Sequence, residues 1–248
     1  MIKKISISVF MICLSIFMIV NTASSQQDEF LVGYWSFDQG EDVVEDQSGN
    51  GNDGTITGDV NWIEGKSGTA LEFTAGANVE IPDSDSLRDM DEYTIAFWFR
   101  LNEFAPEWNH LFEKDGSYGI TINSGAEDLR FTPNSSKVWI ESGAKVKTDI
   151  WYYITMKTDG TSVYFYVDGN EETKFDEPVV FTNNSVNIAH AAPYTVNGAY
   201  DEVKIWAKAL TEDEIKIAMT GASPVLATDL SFISLWSKIR NATLDTGR

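Results

Sequence analysis

The stretch Trp151 to Phe175, WYYITMKTDGTSVYFYVDGNEETKF, leaves the chain little choice of fold. Tyr152, Ile154 and Met156 alternate with Trp151, Tyr153 and Thr155. Asp159-Gly160 then supplies a turn with positive φ, and Val163, Phe165 and Val167 alternate beyond it. A side-chain period of two on both sides of a tight turn specifies a β-hairpin. Asp168-Gly169 turns the chain once more. Runs of the same kind recur from Phe30 onward: Phe30 to Phe37, Ala70 to Phe73, Val79 to Ile81, Tyr93 to Leu101, His110 to Glu113, Tyr118 to Ile122, Leu129 to Thr132 and Val138 to Glu141. After the hairpin come Val186 to Ala189 and Tyr200 to Trp206. Short β-type segments separated by turn chemistry predict an all-β antiparallel sandwich. No self-similar period of roughly 20 to 50 residues recurs, which excludes solenoids and propellers.

At the N-terminus, Lys3 and Lys4 precede the apolar run Ile5 to Val20, and the small residues Ala23, Ser24 and Ser25 follow. This is the pattern of a secretory signal over residues 1–25, with cleavage after Ser25. A retained membrane anchor is the rival reading, because the run approaches the roughly 18 to 20 apolar residues that a span requires. No basic stop-transfer cluster follows. The single cysteine, Cys13, lies inside this run, so the mature chain has no thiol. Disulfides, a cysteine nucleophile and a thiolate zinc site are thereby excluded. The remaining length of about 220 residues suits one large β domain over residues 26–221.

The formal charge is −20, and loss of Lys3 and Lys4 takes the mature chain to −22. Self-repulsion of that size favours a soluble monomer and disfavours nucleic acid or an anionic membrane as partner. Near the other end, Thr211 and Glu214 form a capping-box pattern, with Ile215 and Met219 on one face, which predicts a short helix over Glu212 to Met219. Residues 222–248 read as a C-terminal tail. Leu230, Phe232, Ile233, Leu235, Trp236 and Ile239 give it the pattern of a short amphipathic helix, with a loosely packed tail as the alternative.

Leu31 to Thr55 (LVGYWSFDQGEDVVEDQSGNGNDGT) and Gly198 to Lys216 (GAYDEVKIWAKALTEDEIK) flank the central hairpin with its two turn glycines. In that order the three segments resemble a laminin G-like domain of the concanavalin A-like lectin/glucanase jelly-roll type. The resemblance spans Phe30 to Gly221. It implies a two-sheet antiparallel jelly roll with a short helix after the last strand, used mostly for binding and adhesion, with sugar a frequent target. It also implies a structural calcium between the first and last strands. The matching positions are Asp38, the turn holding Ser48, Asn50 and Asn52, and Asp201.

Asp201 draws attention on its own. If Val203 and Ile205 face the core, strict alternation turns Asp201 inward with them and Tyr200, Glu202 and Lys204 outward. A buried carboxylate needs a partner, and a hard cation serves. The alternative is an acidic turn that hydrogen-bonds backbone amides and binds nothing. Asp46 fits a bracing role, through an Asx-type bond to the backbone at Ser48.

Aromatic side chains outside the expected core are the clearest clue to a ligand. Trp108 in FAPEWNH, Trp139 in SSKVWIE and Tyr194 in HAAPYTVNG are candidates for stacking on sugar rings, with Asn109 and Asn197 as polar partners. Packing of all three rings into the sandwich is the alternative, while Trp98 and Trp151 are expected in the core. The only two histidines, His110 and His190, have no motif linking them to a serine nucleophile and read as loop residues. No strand carries the alternating acids of a β-glucan hydrolase. The sequence therefore predicts a secreted non-catalytic module that binds carbohydrate or a glycosylated surface. A protein-adhesion or scaffold module is the second reading, and a polysaccharide hydrolase the third.

Overall fold

The computed structural model describes residues 28–40, 43–88, 90–133, 138–191 and 193–224. The segment expected to be a signal or anchor, residues 1–25, and the expected amphipathic helix beyond 224 lie outside the described residues. In chain order the strands are β1 (Leu31–Trp35), β2 (Val43–Val44), β3 (Gly54–Thr57), β4 (Val60–Glu64), β5 (Thr69–Phe73), β6 (Asn78–Ile81), β7 (Tyr93–Glu103) and β8 (Trp108–Lys114). They continue as β9 (Tyr118–Asn123), β10 (Asp128–Thr132), β11 (Ile140–Lys145), β12 (Trp151–Thr158), β13 (Val163–Val167), β14 (Asn170–Phe175), β15 (Val186–Ile188) and β16 (Asn197–Trp206), followed by helix α1 (Glu212–Ala218).

These strands form two antiparallel sheets. One runs β14-β13-β12-β7-β16-β5-β4, with β1 added beside β16. The other runs β11-β10-β9-β8-β15-β6-β3-β2. The hairpin appears where alternation places it. Ile154 pairs with Val167 and Met156 with Phe165, and all four enter the core between the sheets. Aromatic rings fill much of that core: Phe97 stacks on Phe112, and Tyr200 contacts Phe73, Phe97 and Phe99.

The outer face of the first sheet is also covered. Trp98, Tyr153, Tyr166 and Trp206 form a second apolar cluster there, with Ile215 and Ala218 of α1 packed over it. The helix starts as its residues dictate: Thr211 Oγ1 accepts from Glu214 N, and Glu214 returns a bond to the Thr211 backbone. Trp98 belongs to this outer cluster and not to the inter-sheet core, and Trp151 is only partly buried against the same cluster. No helix among the described residues is long and apolar enough to cross a membrane.

One departure from strict alternation matters for the site. The register of β16 against β7 shifts between Asp201 and Lys204, and Glu202 takes a left-handed φ of 54°. The extra residue of this bulge resets the pleat. Tyr200 therefore points into the core, together with Val203 and Ile205, contrary to the expectation for Tyr200. Asp201 is turned the other way for the same reason: contrary to the expectation that it faces inward with Val203 and Ile205, it pairs with Trp98 and shares its outer face of the first sheet, where it is nonetheless wholly buried.

Candidate functional site

What covers Asp201 is the turn between β4 and β5. Its Oδ2 accepts from Lys66 N at 2.7 Å and Ser67 N at 2.8 Å, while Asp38 Oδ1 accepts from Thr69 N at 2.8 Å. Two carboxylates thus grip one turn from opposite ends. Both ends of the turn are glycine for a steric reason. A Cβ on Gly65 would lie 2.5 Å from Asp201 Oδ2, and one on Gly68 would lie 2.2 Å from Asp38 Oδ1. Asp201 Oδ1 is buried and has no hydrogen-bond partner among the described residues. Burial pushes the Asp201 carboxyl up to about 6, against the two amide bonds, and the neighbouring Glu202 and Asp38 add to the rise.

The Ser48–Asn52 turn is organised around Asp46. That carboxylate accepts from the backbone N of Tyr34, Ser48 and Asn52 and from Ser48 Oγ. Asn50 Nδ2 donates to Leu31 O, Asn52 Nδ2 donates to Val32 O, and Asn52 Oδ1 accepts from Ser84 Oγ. The Asx geometry expected of Asp46 is present, and the turn ties itself to β1.

A cleft of about 490 Å³ opens on the second sheet. Trp108, His110 and Glu113 all stand on its floor, although positions 110 and 113 of a regular strand face opposite ways. A register shift between His110 and Phe112 in the pairing with β9 brings them together. Phe112 and Ile120, paired across that step, point into the core. Glu113 pairs with Gly119, so both stand on the cleft face. Trp139 lies over Gly119, where a Cβ would come within 2.9 Å of its ring. The missing side chain is the seat of the tryptophan.

The walls are aromatic. Trp108 and Trp139 stack with centroids 6.5 Å apart, and Arg130 lies over Trp108 at 5.4 Å. Tyr194 stacks on His110 at 4.5 Å and is among the exposed large hydrophobic side chains. Polar groups are interleaved. Glu113 Oε2 stands 3.1 Å from His110 Nδ1 and 3.6 Å from His190 Nε2. Ser117 Oγ, from a further lining residue, is buried without a partner among the described residues, while the Tyr118 ring lies in the core between the sheets, stacked on Phe112.

Of the five ligand candidates in the sequence, Trp108, Trp139 and Tyr194 converge on this cleft. Asn109 does not. It follows Trp108 on the strand and so points the other way, where it is fully buried, accepting from Ala105 N and donating to Ser124 Oγ. Asn197 begins β16 on the first sheet and accepts from Asn102 Nδ2. Alternation carries Asn109, and sheet assignment Asn197, off the cleft face. His110 lies within β8, not in a loop, and with Glu113 and His190 it is the part of the site that sequence reasoning missed.

Residues 73–216 match the laminin G family model described as the concanavalin A-like lectin/glucanases superfamily. No curated protein matches the chain. Among solved structures it resembles domain 4 of AbnA, an extracellular GH43 arabinanase from Geobacillus stearothermophilus, determined in complex with arabinotriose. That likeness has 24% identity and a TM-score of 0.63, and covers 75% of this chain and 97% of that one. It also resembles the binding domain of Paraclostridial Mosquitocidal Protein 1, with 16% identity and a TM-score of 0.65, over 78% of this chain and 52% of that one. The binding domain of botulinum neurotoxin DC, in complex with rat synaptotagmin II, is similar at 16% identity and a TM-score of 0.63, over 79% and 52%. The chain spans about half the length of the two toxin domains, and all three likenesses are of fold.

Proposed function

The chain belongs to the concanavalin A-like lectin/glucanase superfamily, and we propose that it is a secreted, non-catalytic module that binds neutral carbohydrate or a glycosylated surface through the cleft on its second sheet. The observation that carries this reading is the convergence of Trp108, Trp139 and Tyr194 with the polar side chains of His110, Glu113 and His190 in one open cleft. Sugar rings offer apolar faces to aromatic side chains and hydroxyls to polar ones, and this lining supplies both. Glu113 accepts and the two imidazoles donate or accept, which suits the hydroxyls of a polyhydroxylated ligand. The net charge of −20 favours neutral over anionic glycans. A fold neighbour solved with arabinotriose makes neutral arabino-oligosaccharides a sensible first probe.

A structural calcium forms part of the proposal. The orphaned, buried Asp201 Oδ1 is the atom that fits a cation. Asp201 and Asp38 would hold the ion, which would neutralise two carboxylates facing one turn and tie β16 to the chain after β1. Ser48, Asn50 and Asn52 would support the site from the neighbouring turn, since their side chains already bond β1, Ser84 and one another.

Glycan-array screening of the mature chain, in parallel with pull-down on extracellular proteins, tests the reading. Retention on neutral glycans that Trp108→Ala abolishes supports it. Capture of protein ligands with no glycan signal would move the assignment to an adhesion module. Turnover of a polysaccharide lost on Glu113→Gln would make the cleft an active site.

A further inference from the structure

The chain has only two histidines, 80 positions apart, and the fold brings both to one carboxylate. We infer that His110, Glu113 and His190 form a binding site for a divalent transition metal of the zinc class at the base of the cleft. One ligand atom from each of the three lies within 4.8 Å of the other two. A tetrahedral zinc with bonds of about 2.0 to 2.1 Å places neighbouring ligand atoms about 3.3 Å apart. The separations of 3.1 Å from His110 Nδ1 to Glu113 Oε2 and 3.6 Å from His190 Nε2 to the same oxygen bracket that value.

The chemistry of His190 points the same way. Its Nδ1 lies 2.7 Å from Ala191 O, and a carbonyl only accepts, so Nδ1 carries the hydrogen. In the neutral ring, Nε2 then turns a lone pair toward the Glu113 carboxylate, so that two acceptors face each other. A cation between them resolves the arrangement. A ligating histidine whose second nitrogen donates to a backbone carbonyl is the usual outer-shell pattern of such sites. Two imidazoles and one carboxylate suit zinc or a similar first-row ion better than calcium, which takes oxygen ligands.

The backbone is also committed to this placement. Ala189, just before His190, takes a left-handed φ of 60° and donates its N–H to Leu111 O at 2.9 Å. A non-glycine residue in that region carries strain that the surroundings must hold. On the other side, Tyr194 and Trp139 pack on the His110 ring at 4.5 and 5.0 Å and limit its movement. With three protein ligands the fourth position opens to the cleft, the pattern of a zinc site that exchanges its last ligand.

The inference does not rest on glycan binding and is tested without a glycan. The mature chain is produced without a histidine tag, stripped of metal, saturated with calcium and titrated with zinc, by calorimetry and by NMR of its two imidazoles. One equivalent of zinc should bind, both imidazole signals should move with it, and His190→Ala should weaken binding by at least about tenfold. Glu113→Gln, which keeps the side chain's shape, should do the same should His190→Ala disturb the fold. Absence of saturable zinc uptake would overturn the inference. So would one-equivalent binding that leaves the imidazole signals in place or that neither variant weakens.

Discussion

Tyr194 lies face to face with His110, their ring centroids 4.5 Å apart and their planes 13° from parallel. The pair is fixed by backbone as well as by rings, since His110 N donates to Tyr194 O at 3.2 Å. A strand residue and a residue of the β15–β16 connection are thus locked together, which sets one wall of the cleft. Because Tyr194 is 37% exposed, its outer face is free to meet a ligand, while removal of the ring uncovers little of the core.

Tyr194→Ala and Trp108→Ala should therefore each weaken glycan retention by tenfold or more, about 1.4 kcal/mol. The thermal midpoint should change by only a few degrees, as for other substitutions outside the core. Affinity electrophoresis alongside a melting curve for each variant checks both halves.

Gly119→Ala should act on the same cleft indirectly. Its Cβ would press on the Trp139 ring at 2.9 Å, so the tryptophan must tilt off the sheet. We expect weaker glycan binding with Trp139 more accessible to a fluorescence quencher. Unchanged quenching would show that the seat is not required.

Acidity should affect Asp201 with a definite sign. Its carboxyl is raised from 3.8 to about 6, chiefly by burial. Between those values the folded chain holds a proton that the unfolded chain has lost, so this group's contribution to stability falls as pH rises through the window, and the cost persists above it. Calcium favours the ionised form and offsets that cost. Melting in calcium-free and calcium-containing buffer should show a larger calcium increment near neutral pH than near pH 5. Asp201→Asn should lose the increment and flatten the pH dependence. An equal increment at both pH values, or one retained by Asp201→Asn, contradicts the assignment.

Thr211→Ala provides a control on the far side of the molecule. Loss of the capping bond should cost about 1 kcal/mol of stability. Helix α1 covers the first sheet and the cleft opens on the second, so glycan and zinc binding should be unchanged.

Much of the architecture could be read from period-two patterning, because strong alternation survives wherever one face is buried. Val43–Val44 is too short to show a period, Val60 to Glu64 sets Trp62 and Ile63 side by side and so breaks the alternation, and other missed strands have few apolar residues. Gly54 to Thr57 and the edge strand Asn170 to Phe175, NEETKF, present little that is apolar to either face. The site was legible only through its aromatic residues. His110 and Glu113 are three apart, a spacing that separates them on a regular strand, and only the register shift beside Leu111 unites them. The same physics misplaced Tyr200 and Asp201: a bulge at Glu202 reverses the facing of both relative to Val203 and Ile205. Bulges are set by tertiary pairing, so local alternation does not announce them. Asn109 lies off the cleft for the complementary reason, since its neighbour Trp108 takes the cleft face.

Calorimetric titration of a neutral oligosaccharide, selected by array, into the parent chain and into Trp108→Ala and Tyr194→Ala tests the cleft most directly. Saturable binding by the parent, weakened tenfold or more in both variants at matched stability, is the expected result. Binding of equal strength in all three proteins would contradict the assignment of the cleft as the carbohydrate site.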